Sequence, residues 1–312
     1  MKSSHRKILL LLTLILALAL LTGCRFSFAL GPGSWISGES YPHAEAYRTG
    51  SFSCSADAVT AVEIDWRSGA VEIVESDRAE LNVRESGSGL PEDAAMHYSL
   101  ENGTLRIRFC ASGARIRVRD SDKRLTVEVP QGIALCVQTT SAPISADTLT
   151  QHSILLSARS GGIQLGTVSA DRIDLSTSSG GIRLGTVSAD SIDLSASSGG
   201  IQTERMDART LSCHTSSGSL RLGVLTVDTA ALDTSSGAVA AELDAVAQLD
   251  VRTSSGRTQL SLPGSGAEVA YTAGSGRLHT ARAYERKGDL YVFGGGEARI
   301  TVVSGSGNLE LR

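Results

Sequence analysis

The sequence predicts an all-β protein: a β-solenoid of the parallel β-helix type, with 19-residue coils and an irregular β cap at each end. A Ser-Gly pair returns every 19 residues, with its glycine at 161, 180, 199, 218, 237 and 256. Two consecutive units are near copies, GGIQLGTVSADRIDLSTSS and GGIRLGTVSADSIDLSASS. A fixed period of about 20 residues indicates stacked structural units rather than one globular core. Apolar residues alternate with polar ones in these units, which is typical of strands.

The inward positions of each coil follow from the alternation. Counted from the glycine as position zero, positions 2, 4, 7, 9, 12 and 14 are apolar, as in Ile163, Leu165, Val168, Ala170, Ile173 and Leu175. Apolar residues two apart mark one face of a strand, and the phase breaks after positions 4 and 9 predict corners. Each coil is therefore predicted to have three short strand segments around a thin aliphatic core. A weaker first unit starts at Ala142, and the repeats cover residues 131–276.

Stacking of the coils would place like residues in columns about 4.8 Å apart, so seven coils would span roughly 30 Å. The serine pairs before each glycine would form a hydroxyl ladder beside the corner. Glycine is favoured at that corner because a sharp turn needs either positive φ or close approach of two backbones.

Residues 57–130 are predicted as an N-terminal β cap and residues 277–312 as a C-terminal one. Asn102-Gly103 lies between two alternating runs, which is the strongest short signal for a β-hairpin. In the C-terminal cap, Tyr284, Tyr291 and Phe293 concentrate aromatic surface in a chain with only 4% aromatic residues. A solenoid needs such caps because an open last coil leaves backbone groups unpaired.

The first 23 residues predict a lipoprotein signal peptide. Lys2, Arg6 and Lys7 form a basic start, and an apolar run of about 14 residues follows that is short for a membrane span. The run leads to Leu21-Thr22-Gly23-Cys24. That ending resembles the lipobox of bacterial lipoproteins, in which Cys24 would carry the acyl chains, including palmitate, that anchor the mature protein. The alternative is an ordinary secretory signal with an incidental cysteine. Residues 24–56 are predicted to be a flexible tether.

Charge and cysteine content exclude some classes of function. Removal of the signal peptide would lower the formal net charge from −4 to −7, and a mildly acidic chain without a basic stripe does not predict nucleic-acid binding. Cys54, Cys110, Cys136 and Cys213 remain, and their wide spacing predicts neither a CxxC metal motif nor a disulfide framework. Cys213 occupies an inward leucine position, which favours a core residue. The disulfide state of the other three stays open.

Five segments together carry a family resemblance: VEID at 62–65, VEI at 71–73, LTVEVP at 125–130, the Ser-Ser-Gly repeats, and SGSGNL at 304–309. In this order they resemble the DUF4097 putative-adhesin family of β-strand-repeat proteins, over residues 57–312. The resemblance implies a β-solenoid-like domain that is often exported or membrane-tethered, and it supplies no catalytic residues. The strict 19-residue spacing is more regular than the family leads us to expect.

Stacked acidic residues are the main candidates for chemistry. Asp171 would lie beside Asp190 and Asp174 beside Asp193, and paired carboxylates about 5 Å apart can bind Ca²⁺ or act as acid and base. The alternative is that both pairs came with the duplication and lie on a solvated face, since Arg209 and Ser212 interrupt the two columns.

Histidines and glycines give no further site. His152 and His214 fall in different columns and do not form a ligand pair. Gly294-Gly295-Gly296 lacks the strand-turn-helix context and the lysine of a phosphate loop, so it is interpreted as a turn.

We therefore expect a membrane-tethered, non-enzymatic β-solenoid lipoprotein of the bacterial cell envelope, acting in binding, adhesion or as a scaffold. It would have no catalytic residue, cofactor or metal, and Cys24 would be its lipidation site. Its partners would be the membrane, through the lipid anchor, and an envelope protein or glycan. The alternatives are a carbohydrate-active enzyme on a β-helix and an envelope-stress partner of a membrane regulator. Against the enzyme, Phe109 is the only aromatic residue between Tyr98 and Tyr271.

Overall fold

The computed structural model describes residues 35–37, 40–87, 90–117 and 123–312. The predicted signal peptide and Cys24 lie outside the described residues. Strands dominate this part of the chain, and its helices are three single 3-10 turns: Ala44–Ala46, Ala56–Ala58 and Glu92–Ala94. None of the helices in these ranges has the length and apolar character needed to cross a membrane.

Six parallel strands of 15 residues form the centre of the molecule. They are β12 (Ile144–Ala158), β13 (Ile163–Thr177), β14 (Ile182–Ala196), β15 (Ile201–Thr215), β16 (Leu220–Thr234) and β17 (Val239–Thr253). Paired residues are 19 positions apart, as Ile163 faces Ile182 and Leu175 faces Leu194, except at an irregularity in β16, where Val224 and Leu225 face residues 18 positions on. This register confirms the predicted solenoid of 19-residue coils.

Each coil is one bent strand rather than three separate segments. The β13–β14 pairing skips positions 166–167 and 171, where the phase breaks of the sequence predict corners. The chain bends there without leaving the ladder, and only the four-residue turn around the corner glycine at the end of each coil interrupts the strand. The corners are thus confirmed, but the neighbouring coils keep the backbone hydrogen-bonded around them.

The predicted inward positions form the core. Ile163, Leu165, Val168, Ile173 and Leu175 are all at most 2% exposed, whereas the alanines at position 9 of this coil and the next are half-buried. A further inward column lies at position 16 and was not predicted, because it holds threonine: Thr177, Thr215, Thr234 and Thr253.

The buried threonines satisfy the backbone of the corner. Thr215 Oγ1 accepts a hydrogen bond from the Gly218 amide at 3.1 Å and donates one to the Gly199 carbonyl at 3.2 Å. The same acceptor contact recurs at Thr234 and Thr253, with distances of 3.0 and 2.9 Å to the glycine three residues on. Alanine occupies the same buried column at Ala158 and Ala196, so the hydroxyl adds hydrogen bonds at the corner in four of six coils and is not required in every one.

Close approach of two backbones, and not positive φ, explains the corner glycines. A Cβ atom on Gly180 would lie 2.0 Å from the carbonyl oxygen of Gly161, and one on Gly199 would lie 1.7 Å from that of Gly180. Neither glycine has a positive φ. Each coil thus touches its neighbour at a point where no side chain fits.

The N-terminal end adds two coils in an order that differs from the chain order. The strands are β4 (Ala61–Trp66), β5 (Ala70–Glu75), β8 (Thr104–Arg108), β10 (Arg124–Val129) and β11 (Ala134–Thr139). β4 lies between β11 and β8, and β5 between β12 and β10, all parallel. The first coil of the chain, made by β4 and β5, therefore lies between two other coils of the stack. The coil made by β8 and β10, which come later in the chain, is the terminal one.

Antiparallel strands cover this end. They are β1 (Trp35–Ser37), β2 (Arg48–Thr49), β3 (Phe52–Ser55), β6 (Glu80–Ser86), β7 (His97–Glu101) and β9 (Arg115–Arg117). β7 and β8 form the predicted hairpin, with φ of 51° at Asn102 and 77° at Gly103. β6 pairs with β10 and β3, while β2 pairs with β7 and β1 with β9.

The C-terminal part of the predicted tether is folded. β2 and β3 fall within residues 24–56, and Phe52 stacks on Tyr98 with 3.6 Å between the ring centroids. The small and polar composition of the segment conceals these strands. They form because the outer edge of the cap offers β6 and β7 as pairing partners.

The C-terminal end is also interleaved. Its strands are β18 (Thr258–Ser261), β19 (Gly266–Ala273), β20 (Leu278–Thr280), β21 (Glu285–Lys287), β22 (Leu290–Gly294), β23 (Ala298–Ser304) and β24 (Leu309–Leu311). β23 lies between β17 and β19, and β24 between β18 and β20. The last residues of the chain thus complete an inner coil, while the antiparallel β21–β22 hairpin extends the outer one.

Candidate functional site

An open groove runs along one face of the solenoid, across seven adjacent strands. Its volume is about 700 Å³, and its floor is made by the small residues that follow the corner: Ala70, Pro143, Gly162, Gly181, Gly200 and Ser219. Seven strands correspond to a length of about 29 Å. Gly162, Gly181 and Gly200 lie in three neighbouring coils, so this part of the floor has no side chains.

One wall of the groove is a column of polar side chains at position 3 of the coils. The strand register stacks Ser145, Gln164, Arg183, Gln202 and Arg221 in this order, and all five are exposed. The two arginines are two strands apart, which is about 10 Å. The wall therefore presents amide and guanidinium donors along a straight line.

The same side chains separate the groove from a second depression of about 420 Å³. Gly166 and Gly185 line this second depression, with Asp147 and Glu204 at its two ends. The position-3 column is thus a ridge with a hollow on each side. A ligand lying along the ridge would reach the amides and guanidinium groups from either hollow.

Charge at the groove is positive although the chain as a whole is acidic. Arg124, Arg183 and Arg221 line it. Arg124 pairs with Glu72 at 3.4 Å at one end. No carboxylate of the described residues lies within ion-pair distance of Arg183 or Arg221. Two unpaired guanidinium groups on one wall can attract and orient an anionic ligand.

The aspartates singled out by the sequence lie elsewhere on the coil surface. Asp174 and Asp193 are directly paired in the β13–β14 register, as predicted. Burial raises the pKa of both carboxyl groups, and Asp174 raises that of Asp193 further, while Arg172 acts in the opposite direction on each. These shifts follow from stacking two acids on a half-buried face, and they lower stability at neutral pH.

Asp171 and Asp190 are exposed and have cationic neighbours. Asp171 lies 3.5 Å from the ring of His152, and Asp190 lies 3.0 Å from the guanidinium group of Arg209. His214 is exposed on another face. Within the described ranges, His, Cys, Asp and Glu form no group of three or more that could hold a metal ion.

The four cysteines among the described residues, Cys54, Cys110, Cys136 and Cys213, form no disulfide bond with one another. Cys213 is 1% exposed in the core, where burial raises the pKa of its thiol. Burial also raises the pKa of the Cys54 and Cys110 thiols. A thiol with a raised pKa is a poor nucleophile near neutral pH, so these residues do not form a reactive centre.

A buried ion pair in the N-terminal cap was not predicted. Lys123 is 1% exposed, its Nζ lies 2.7 Å from Glu85 Oε1, and it donates hydrogen bonds to the carbonyls of Ala94 and Phe109. The ammonium group also lies 4.8 Å from the ring centroid of Trp66. With its hydrogens satisfied and no opening to solvent, this lysine anchors the end of the solenoid rather than a ligand.

A single family model covers most of the N-terminal cap, the parallel coils and the C-terminal strands. The model of the Toastrack DUF4097 family matches residues 59–312. The chain belongs to this family. The Toastrack match confirms the resemblance seen in the sequence motifs and covers the groove entirely.

Solved structures agree with this fold. A putative adhesin from Parabacteroides distasonis is 15% identical and has a TM-score of 0.52, with 85% of this chain and 97% of the other covered. A putative adhesin from Parabacteroides merdae is 12% identical with a TM-score of 0.50, and 85% and 96% are covered. No curated protein matches the sequence. At these identities the likeness shows the Toastrack fold alone.

The groove wall could have been found in the sequence. Position 3 is polar in the units that begin at Ala142, Gly161, Gly180, Gly199 and Gly218, and it alternates between glutamine and arginine in four of them. The floor could not be found in this way. Each of these turns contains two consecutive glycines, and the sequence does not tell which of the two contacts the neighbouring coil and which lines the groove.

Proposed function

We propose that this Toastrack protein is a non-enzymatic binding module, tethered by lipid to the outer face of a bacterial membrane, and that the groove is its ligand-binding surface. The observation that carries the proposal is the groove itself: a straight, solvent-open channel with unpaired guanidinium and amide donors. Such a channel binds an extended ligand without needing a nucleophile or a base.

The tether rests on the lipobox sequence that ends in Cys24. Acyl chains on this residue would hold the solenoid at the membrane surface, with the envelope within reach of the groove. Residues 25–34 would then lie between the anchor and β1, the first described strand of the cap.

Metabolic labelling tests the tether. In cells supplied with an alkyne fatty acid, the wild-type chain should be labelled and found in the membrane fraction, whereas Cys24→Ser should be unlabelled and released or misprocessed. Equal labelling of the two proteins would contradict lipid anchoring.

Sedimentation with envelope fragments tests the binding role. Full-length protein in detergent should co-sediment with fragments of the bacterial envelope, and the fragments should remain chemically unchanged on long incubation. Release of shortened glycan fragments would favour the carbohydrate-active enzyme instead, and failure to co-sediment would contradict a binding role.

A further inference from the structure

The two near-identical coils place one arginine in different positions. The unit 161–179 and the unit 180–198 differ at three positions only: Gln164 against Arg183, Arg172 against Ser191, and Thr177 against Ala196. Each unit therefore has one arginine, at position 11 in the first and at position 3 in the second. The net charge of the two coils is the same.

At position 11 the arginine stabilises its own coil. Arg172 lies 3.5 Å from the carboxylate of Asp174, and this contact opposes the effect of burial on that group. In the second coil Ser191 occupies the same position, so Asp193 has no arginine of its own coil beside it. The second coil thus lacks an ion pair that its neighbour has.

At position 3 the arginine has no such role. Arg183 is exposed in the groove, without an ion-pair partner among the described residues, and Gln164 and Gln202 flank it in the stack. A residue that would stabilise the protein more at another position is expected at a functional site. The position of Arg183 therefore points to a ligand in the groove.

The shape of the groove selects an extended ligand. Its floor is straight over seven strands, and Arg183 and Arg221 repeat along it at a distance of about 10 Å. This distance is comparable to one disaccharide of an extended glycan. A small anion would contact only one guanidinium group, whereas a chain with an acid group on every second sugar would contact both.

The lining favours a glycan over a nucleic acid. In the part of the chain that the structure describes, the lining of the groove contains no aromatic side chain. Proteins that bind single-stranded nucleic acids stack bases on aromatic rings. The amides of Gln164 and Gln202 and the serine hydroxyls match sugar hydroxyls in hydrogen bonding.

From these observations, and building on the proposed binding function, we infer that the groove binds an extended acidic glycan, with carboxylate or phosphate groups held by Arg183 and Arg221. The shared chemistry is an anionic oxygen that accepts paired guanidinium hydrogen bonds. Polygalacturonate and phosphomannan are probes that distinguish the two sources of this group. Dextran is the neutral control, and a 20-nucleotide oligothymidylate represents nucleic acids.

The decisive variant moves the arginine without changing the net charge. Arg183→Gln combined with Ser191→Arg gives the second coil the arginine position of the first, with the new guanidinium group near Asp193 and facing Arg172 in the strand register. Because attraction to Asp193 and repulsion from Arg172 oppose each other, we expect this variant to fold with close to wild-type stability and to bind the acidic polymer roughly threefold to tenfold more weakly. A loss of binding with retained stability cannot come from misfolding.

Matched charge removal gives a second test. Arg183→Gln with Arg221→Gln should weaken binding about tenfold or more, and should reduce the dependence of affinity on salt. The control is Arg252→Gln with Arg299→Gln, which removes the same charge from another face where Gln248 already stacks on Arg299. This control should bind within about twofold of the wild type.

Two further variants separate charge from shape. Gln164→Arg adds a third guanidinium group beside Arg183 and should strengthen binding several-fold. Gly181→Gln fills the floor with a neutral side chain at a column that accepts Arg257 in another coil, and should weaken binding without changing the charge.

Calorimetric titration of the full-length protein in detergent, at low and high salt, decides the matter. Binding of either acidic polymer, lost in the groove variants and retained in the control, supports the inference and identifies the acid group. The inference is overturned if dextran binds equally well, if oligothymidylate binds more tightly than both acidic polymers, if no polymer binds, or if all variants bind alike. If envelope fragments co-sediment with the wild type although neither acidic polymer binds it, the binding function stands and only the acidic-glycan assignment fails.

Discussion

Removal of one complete coil tests the repeat architecture most directly. Deleting Gly180–Ser198 joins Ser179 to Gly199 and leaves every inward position in phase, because each residue of the lost coil faces equivalents 19 positions away on both sides. Ile163 would then stack on Ile201. The shortened solenoid should fold, with one interface between coils fewer.

The expected loss of stability is modest. The deleted coil contributes five large apolar side chains that are at most 4% exposed: Ile182, Leu184, Val187, Ile192 and Leu194. The entropy of ordering 19 residues is removed together with them, so only the net difference is lost. At about 0.05–0.15 kcal/mol per residue, one coil corresponds to roughly 1–3 kcal/mol.

A shorter deletion provides the control. Removing only Gly180–Ala189 deletes about half as many residues, but it discards the corner glycine and leaves nine residues to complete a coil that requires 19. The inward residues would leave the core and the strand edges would no longer match, so this variant should unfold or aggregate.

Circular dichroism, chemical denaturation and limited proteolysis of the two full-length variants give the comparison. The 19-residue deletion should keep the β spectrum and a cooperative transition, and the ten-residue deletion should lose both. If the two deletions are tolerated equally well, the reasoning from stacked coils is refuted.

Three further predictions concern single residues, each measured by chemical denaturation. Gly199→Ala should lower the free energy of unfolding by about 1–3 kcal/mol, because its Cβ would lie 1.7 Å from a backbone oxygen. Gly200→Ala, whose Cβ would lie 3.1 Å from a backbone oxygen, should lower it by less than about 1 kcal/mol. Equal losses would contradict the close-approach explanation. Ile192→Asp should cost several kcal/mol by placing a charge in the core. By contrast, Asp193→Asn should be silent or stabilise by about 0.5 kcal/mol at pH 7. That gain should vanish below about pH 3, because the raised folded-state pKa penalises only the ionised carboxylate. Lys123→Met should lower the free energy of unfolding by about 3–5 kcal/mol, because it leaves the buried carboxylate of Glu85 unpaired. Replacing Glu85 by a neutral residue in the same protein should recover most of this loss.

The interior of the solenoid could be predicted from the sequence because side-chain alternation and a strict period together determine which residues face inward. Ile163, Leu165, Ile173 and Leu175 were assigned in this way and are buried. Thr177 was missed because its hydroxyl suggests an outward position, while its partner, the Gly161 carbonyl, becomes apparent only in three dimensions.

The two ends could not be predicted to the same extent. Alternation identifies β4, β8 and β23 as strands, but it does not say which neighbours they choose. β4 and β23 both enter the stack between two parallel strands that are distant in sequence, and this order depends on contacts over more than 30 residues. Sequence periodicity contains no information on such pairings.

The columns of this fold separate stability from binding. In a stack with a constant register, the inward positions and the corner glycine set the free energy of folding, whereas position 3 faces only solvent and the groove. A substitution there changes one contact along the ridge and leaves the core and the hydrogen-bonded ladder unchanged. The two near-identical coils show this separation within one molecule, since Gln164 and Arg183 occupy the same position on the same backbone. Under the binding role proposed for the groove, a Toastrack solenoid of this kind can alter the spacing of its ligand contacts coil by coil without redesigning its fold.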